Sequence, residues 1–149
     1  PDQVRENWEA LKLRKKNRKS GTLGGVPRSL PALVKAYRMG EKAAGTGFDW
    51  EHKEDVWAKV REEIAEVESE MRSGRKADLE GEFGDLFFAL VNAARLYGVD
   101  PESALARTND KFMRRFNYME EHAAAEGHAL HDMTLDEMEA LWQQAKTEE

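Results

Sequence analysis

The sequence predicts an all-α fold, a helical bundle of about five helices completed by homodimerisation, and three observations carry that expectation. Apolar residues recur at helical spacing through long segments, and no alternating stretch reads as a strand. Helix boundaries are written in cap chemistry, at Ser73-Gly74, at Asp100-Pro101 and at the Thr134/Glu137 pair. The central segment GEFGDLFFALVNAARLYG is apolar nearly all round, with Phe83, Leu86, Phe87, Phe88, Leu90, Val91 and Ala94, as in a helix covered on every side.

The elements follow in order. Residues 4–16 suit a helix that runs into a basic patch, KLRKKNRK at 12–19, and GTLGGVPRSLP then reads as loop or arm. Residues 1–30 are therefore expected to be an N-terminal helix with a basic arm and linker, and 31–149 the functional domain. A helix starts near Pro31, continues through ALVKAYRMGEKAA and stops at Gly45 or Gly47. The next spans about 51–73, with Val56, Trp57, Val60, Ile64, Val67 and Met71 as its apolar stripe. A third, at about 78–98, closes at Gly98. A fourth is capped by Asp100, with Pro101 in its first position and Leu105, Thr108, Phe112, Phe116 and Met119 as its inner stripe. The last opens on a Thr134/Glu137 capping box, with Met133 and Met138 placed for a hydrophobic staple.

Composition narrows the function. The chain has 149 residues, which fits one domain, with 40% hydrophobic and 35% charged residues, enough for a core under a heavily charged surface. A formal net charge of −6 argues against stable nucleic-acid binding, although a cation can still bridge an acidic protein to an anionic nucleotide. The absence of cysteine excludes disulfides and thiolate metal sites. No apolar run has membrane-spanning length and the N-terminus does not read as a signal peptide, so no membrane partner and a cytoplasmic location are expected. The sequence begins at Pro1 rather than methionine, which suggests processing or a piece of something longer.

The chemistry centres on carboxylates. Glu82 and Asp85, three apart, share one face of the most apolar helix. Buried carboxylates are costly unless paired or bound to a metal. Upstream, REEIAEVESE supplies Glu62, Glu63 and Glu66, and Lys59, Glu63, Glu66 and Glu70 line one edge of their helix. Two facing acidic helices make an all-oxygen pocket for a hard cation such as Mg²⁺, which points to metal-assisted chemistry on phosphates. Taken alone, an E-x-x-E pattern is most often a solvated, salt-bridged edge, and a buried ion pair to Arg115 or Lys59 is the plain alternative for Glu82 and Asp85. Gly81 and Gly84, each costly in a helix interior, suggest close helix packing or close ligand approach.

Lys111 and Arg115, four apart, are ordinary as a charged flank but suit phosphate binding beside such a pocket. Trp142 is either core or, one turn from Lys146, a surface for a base to stack on. Asn92 shares the face of Asp85 and either orients a ligand or a carboxylate or satisfies a buried backbone group. The four histidines read as surface. There is no G-x-x-x-x-G-K phosphate loop and no triad for covalent catalysis.

Three blocks in this order, KVREEIAEVESE, EFGDLFFALVN and ARTNDKFMRRF, resemble the MazG nucleoside triphosphate pyrophosphohydrolases. The family's E-E-x-x-E and E-x-x-D are present as Glu62, Glu63, Glu66, Glu82 and Asp85, and its N-x-K-F-x-x-R-F as Asn109 to Phe116. GVPRSLPALVKAYRMGEKAAGTGFDW is similar to the segment entering the second of two tandem MazG domains, so a C-terminal half and a single-domain relative both stay open. The resemblance implies an all-α homodimer that hydrolyses NTPs or dNTPs to monophosphate and pyrophosphate with Mg²⁺, for which Mn²⁺ is a substitute. It implies Glu63, Glu66, Glu82 and Asp85 as metal ligands and Glu62 as the residue that activates water. Lys59, Lys111 and Arg115 are implied as phosphate contacts, and Trp142 and Lys146 as nucleotide contacts. Two rivals are a catalytically weak regulatory dimer that binds Mg-nucleotide or a partner protein, and a pyrimidine-selective dUTPase-like enzyme on a similar bundle.

Overall fold

Caps and glycines divide the chain where the periodicity places its breaks. The structure, a computed structural model, describes residues 2–149, apart from the side chains of residues 10 and 13–20. Among the described residues there are six α-helices and no strand: α1 (Asp2–Ser20), α2 (Ala32–Gly45), α3 (Val56–Ser73), α4 (Lys76–Leu96), α5 (Pro101–Ala125) and α6 (Leu135–Thr147). Single 3-10 turns at Lys53–Asp55 and Leu130–Asp132 lead into α3 and α6.

The caps work as their chemistry requires. Gly74 ends α3 in the left-handed conformation, at φ 74°, and its N–H donates to the Glu70 carbonyl. Asp100 accepts from the Glu102 N–H at 3.0 Å, capping α5. The Thr134 hydroxyl accepts from the Glu137 N–H while the Glu137 carboxylate accepts from the Thr134 N–H, a complete capping box. Two boundaries differ from expectation, and one is the start of α3, expected near residue 51 but found at Val56 after the 3-10 turn. The first helix does not give way to an arm at the basic run but continues to Ser20. The side chains of the basic run from residue 13 onward lie outside the described residues.

The chain forms two compact units, Pro1–Glu102 and Ser103–Glu149. In the first, α3 and α4 make a hairpin around Val56, Val60, Ala89 and Ala93, with Trp50, Leu86 and Leu96 packed against that core. The alanines let the two helices approach closely. α2 lies on another flank of α4, where Gly40 is buried. In the second unit, Met119, Ala123 and Ala145 are buried, and Phe112 meets Trp142 with ring centroids 5.6 Å apart.

Burial within the single chain departs from the expected pattern at three places. Within one chain α4 is not covered all round: Phe83, Phe87, Phe88 and Leu90 are exposed, because α3 and α2 cover only part of its perimeter. On α5, Met119 of the predicted inner stripe is buried, whereas Leu105, Phe112 and Phe116 are 51%, 56% and 39% exposed, α6 being the only other helix of its unit. Gly81 and Gly84 have no atom of this chain near the place a Cβ would occupy, so they reflect no close helix packing within it.

Candidate metal and nucleotide site

The hairpin brings the two acidic segments together. Glu63 lies on the buried stripe of α3, one turn beyond Val60, and Glu82 and Asp85 lie one turn and more before Ala89 on α4. One carboxylate oxygen from each of Glu63, Glu82 and Asp85 falls within 4.8 Å of the other two. Octahedral Mg²⁺, with bonds of about 2.0–2.1 Å, places its oxygen ligands roughly 3–4 Å apart, so a small contraction closes this set on a cation. The three donors are hard oxygens with no nitrogen or sulfur among them, the chemistry Mg²⁺ and Mn²⁺ accept.

Burial is distributed differently from expectation. Glu63 is the buried carboxylate, at 7% exposure, whereas Glu82 is half-buried and Asp85 is exposed. Loss of water around Glu82, followed by the charges of Glu66, Asp85, Glu63 and Glu70, pushes its pKa above the ordinary value. Glu66 is exposed and outside the triad of oxygens, yet near enough to act on Glu82 through its charge. Lys59 binds the buried member: its Nζ is 3.0 Å from Glu63 Oε1 and 3.4 Å from Glu62 Oε1. Those partners raise the lysine pKa, the Glu63 hydrogen bond most. The plain alternative, an ion pair from Glu82 or Asp85 to Arg115 or Lys59, is not formed among the described residues: Lys59 pairs with Glu62 and Glu63, and Arg115 with Glu149.

Asn92 is buried, and its Oδ1 accepts from Arg95 Nε at 3.2 Å. Arg95 in turn grips Asp49 with two bonds, Nη1 to Oδ2 at 3.0 Å and Nη2 to Oδ1 at 2.7 Å. Gly40 makes room for this pair, since a Cβ there would lie 2.6 Å from Asn92 Oδ1 and 2.9 Å from Arg95 Nε. The Asp49–Arg95 pair was not read from the sequence. Its signal is a short GTGFDW segment, in which Gly47 at φ 98° turns the chain back along α2 and presents Asp49.

In the second unit one of the expected basic residues, Arg115, is engaged with its own chain. Arg115 donates to both carboxylate oxygens of Glu149, at 2.7 and 2.8 Å, and lies over the Trp142 ring at 5.2 Å. The Trp142 ring is thus half-buried between Arg115 and Phe112. Lys111 is half-buried and lines a surface depression with Arg107 and Arg114, while Lys146 is exposed.

A family profile described as the MazG nucleotide pyrophosphohydrolase domain matches residues 51–119, the stretch that carries Glu62, Glu63, Glu66, Glu70, Glu82 and Asp85. The chain is 42% identical over 99% of its length to a nucleoside triphosphate pyrophosphohydrolase of Escherichia coli (strain K12), covering 57% of that protein. It is 39% identical over 95% of its length to a nucleoside triphosphate pyrophosphohydrolase/pyrophosphatase of Thermotoga maritima, covering 54% of it. An uncharacterized protein of Bacillus subtilis is 50% identical over 98% of the chain, which covers 30% of it. The chain thus spans little more than half the length of the two pyrophosphohydrolases.

Proposed function

With a MazG nucleotide pyrophosphohydrolase domain across residues 51–119, the chain belongs to that family, and on this premise we propose that it hydrolyses nucleoside triphosphates, ribo or deoxy, to the monophosphate and pyrophosphate. The observation that supports this best is the convergence of Glu63, Glu82 and Asp85 from two helices onto one small volume. These three would hold Mg²⁺, or Mn²⁺ in its place, with Glu66 as a further oxygen donor at its edge. A bound cation would offset the triphosphate's charge and polarise the phosphoryl group under attack.

The chain's own groups supply the rest. Glu62 is exposed and held by Lys59, outside the triad, so it is available to take the proton from the attacking water. The water oxygen bonds to phosphorus, the α–β anhydride bond breaks, and pyrophosphate leaves with the electron pair. Lys59, paired with Glu63 in this structure, would be free to contact a phosphate if a cation were held by that carboxylate. Lys111 and Arg115 are assigned as phosphate contacts, and Trp142 and Lys146 as nucleotide contacts, on the family resemblance alone. A second copy of the chain is proposed to cover the exposed aromatic face of α4.

Pyrophosphate and monophosphate release from an NTP panel with MgCl₂ tests the reading. Glu82→Gln and Asp85→Asn should each abolish release while the far-ultraviolet circular dichroism stays unchanged. Near-normal turnover in both would overturn the metal assignment. Binding of Mg-nucleotide with no turnover would replace the enzyme with a regulatory module.

A further inference from the structure

In the second unit a carboxylate already fills the fork of Arg115: Nε donates to Glu149 Oε1 at 2.7 Å and Nη2 to Oε2 at 2.8 Å. We propose that Glu149 is an internal competitor for the anion this arginine holds in the reaction, a latch that a substrate or product phosphate must displace. The proposal rests on the hydrolase reading above, which gives Arg115 to a phosphate, and deepens it by naming how access to that group is regulated.

Four observations point there. First, the pairing has the shape of phosphate binding. Two parallel N–H···O bonds to a carboxylate are the arrangement in which a guanidinium also grips two phosphate oxygens. The two anions therefore exclude each other. Second, the arginine is held in place by more than Glu149. Its guanidinium lies over the Trp142 ring at 5.2 Å, and its side chain is only 12% exposed. Departure of the carboxylate leaves the fork open and still oriented.

Third, the surroundings are cationic. The hydrogen bond from Arg115 holds the Glu149 carboxyl below its ordinary pKa, and the charges of Arg115, Arg114 and Lys111 add to it. A carboxylate brings one negative charge to that cluster and a polyphosphate brings more, so the polyphosphate prevails when present. Fourth, Glu149 leaves without breaking the helix that carries it. α6 ends at Thr147, whose hydroxyl donates to the Gln143 carbonyl, and the Glu148 N–H donates to the Gln144 carbonyl. Glu149 stands beyond both bonds, so its release turns on the torsions of one residue. A carboxylate tethered this closely competes at an effective concentration on the order of millimolar.

The probe is inorganic pyrophosphate, titrated into the full chain in metal-free buffer and followed at the Arg115 Nε–H cross-peak in ¹⁵N-resolved NMR. That cross-peak should move on titration. In Glu149→Gln and Glu149→Ala the pyrophosphate Kd should fall by about threefold to tenfold, and kcat/KM for one good NTP should rise by a similar factor. In an Arg115→Ala background, read by calorimetry, Glu149→Ala should give no gain in affinity, because no fork remains to compete for. An equal gain there would make Glu149 a general repellent of anions and overturn the latch. A merely structural pair gives the opposite result, a lower Tm with unchanged or weaker pyrophosphate binding, and that too would overturn it. So would a static Arg115 cross-peak at saturating pyrophosphate, even in an active enzyme. A chain that turns over no NTP, yet binds pyrophosphate more tightly without Glu149, would sink the hydrolase reading and keep the latch.

Discussion

At Glu82 desolvation and four neighbouring carboxylates all disfavour the ionised side chain. The folded chain therefore holds that proton more tightly than the unfolded chain, and the cost to folding appears as pH rises above the ordinary value of 4.5. Glu82→Gln should raise Tm at pH 7 without divalent metal, and the gain should vanish as pH falls below that value. A scan of Tm against pH for both proteins checks it, and the sign should reverse with saturating Mg²⁺. Asp49 is the opposite case. The Arg95 hydrogen bonds hold its pKa below the usual 3.8, so its contribution is complete above that value and is lost as pH falls through the lowered one. Asp49→Asn should cost about 1.5–3 kcal/mol at neutral pH, as loss of a hydrogen bond to a charged group does, and progressively less as pH is lowered below 3.8 toward the depressed pKa. Urea denaturation at neutral pH and below 3.8 measures the difference. An equal cost at both would show that Arg95 does not depend on the Asp49 charge.

Among the elements, α6 depends on its first turn and on its contact with α5. Its capping box satisfies backbone groups that no other residue reaches, so Thr134→Ala should destabilise by about 1 kcal/mol, read as a lower urea midpoint with unchanged slope. The Trp142 ring is clasped by Phe112 and Arg115. Trp142→Ala should therefore lower Tm as well as raise KM, whereas Arg115→Ala should act mainly on kcat. Calorimetry beside steady-state kinetics separates the two. An unchanged Tm in Trp142→Ala would show that the ring is held in place for a ligand rather than for packing.

For the whole molecule, the exposed aromatic and aliphatic side chains of α4 form more apolar surface than scattered single residues explain. Phe87 is 58% exposed at the middle of that face. The proposed homodimer predicts that Phe87→Glu yields monomers at micromolar concentration by light scattering, with a lower Tm, while the wild-type chain runs as a dimer. A wild-type monomer would leave the α4 face to some other partner.

The sequence by itself determined most of the helices and those of their ends that carry cap chemistry. Cap chemistry is local: Gly74, Asp100 and the Thr134/Glu137 pair act on backbone groups within one turn of themselves, so three or four residues suffice to read them. The acidic cluster was legible for a related reason. Glu63 and the Glu82/Asp85 pair lie on helices joined by a short loop, and a hairpin of two such helices has few ways to pack. What only the tertiary structure decided depends on atoms distant in sequence. Burial fell on Glu63 rather than on Glu82 and Asp85, because exposure depends on how far neighbouring helices reach around each one. Asn92 looked like one more polar residue on a greasy helix. Its orientation comes from Arg95, from Asp49, which holds Arg95 from forty-six residues before it, and from a glycine on α2 that leaves the space. Periodicity records which face a residue occupies, but only the packed chain sets which atoms that face meets.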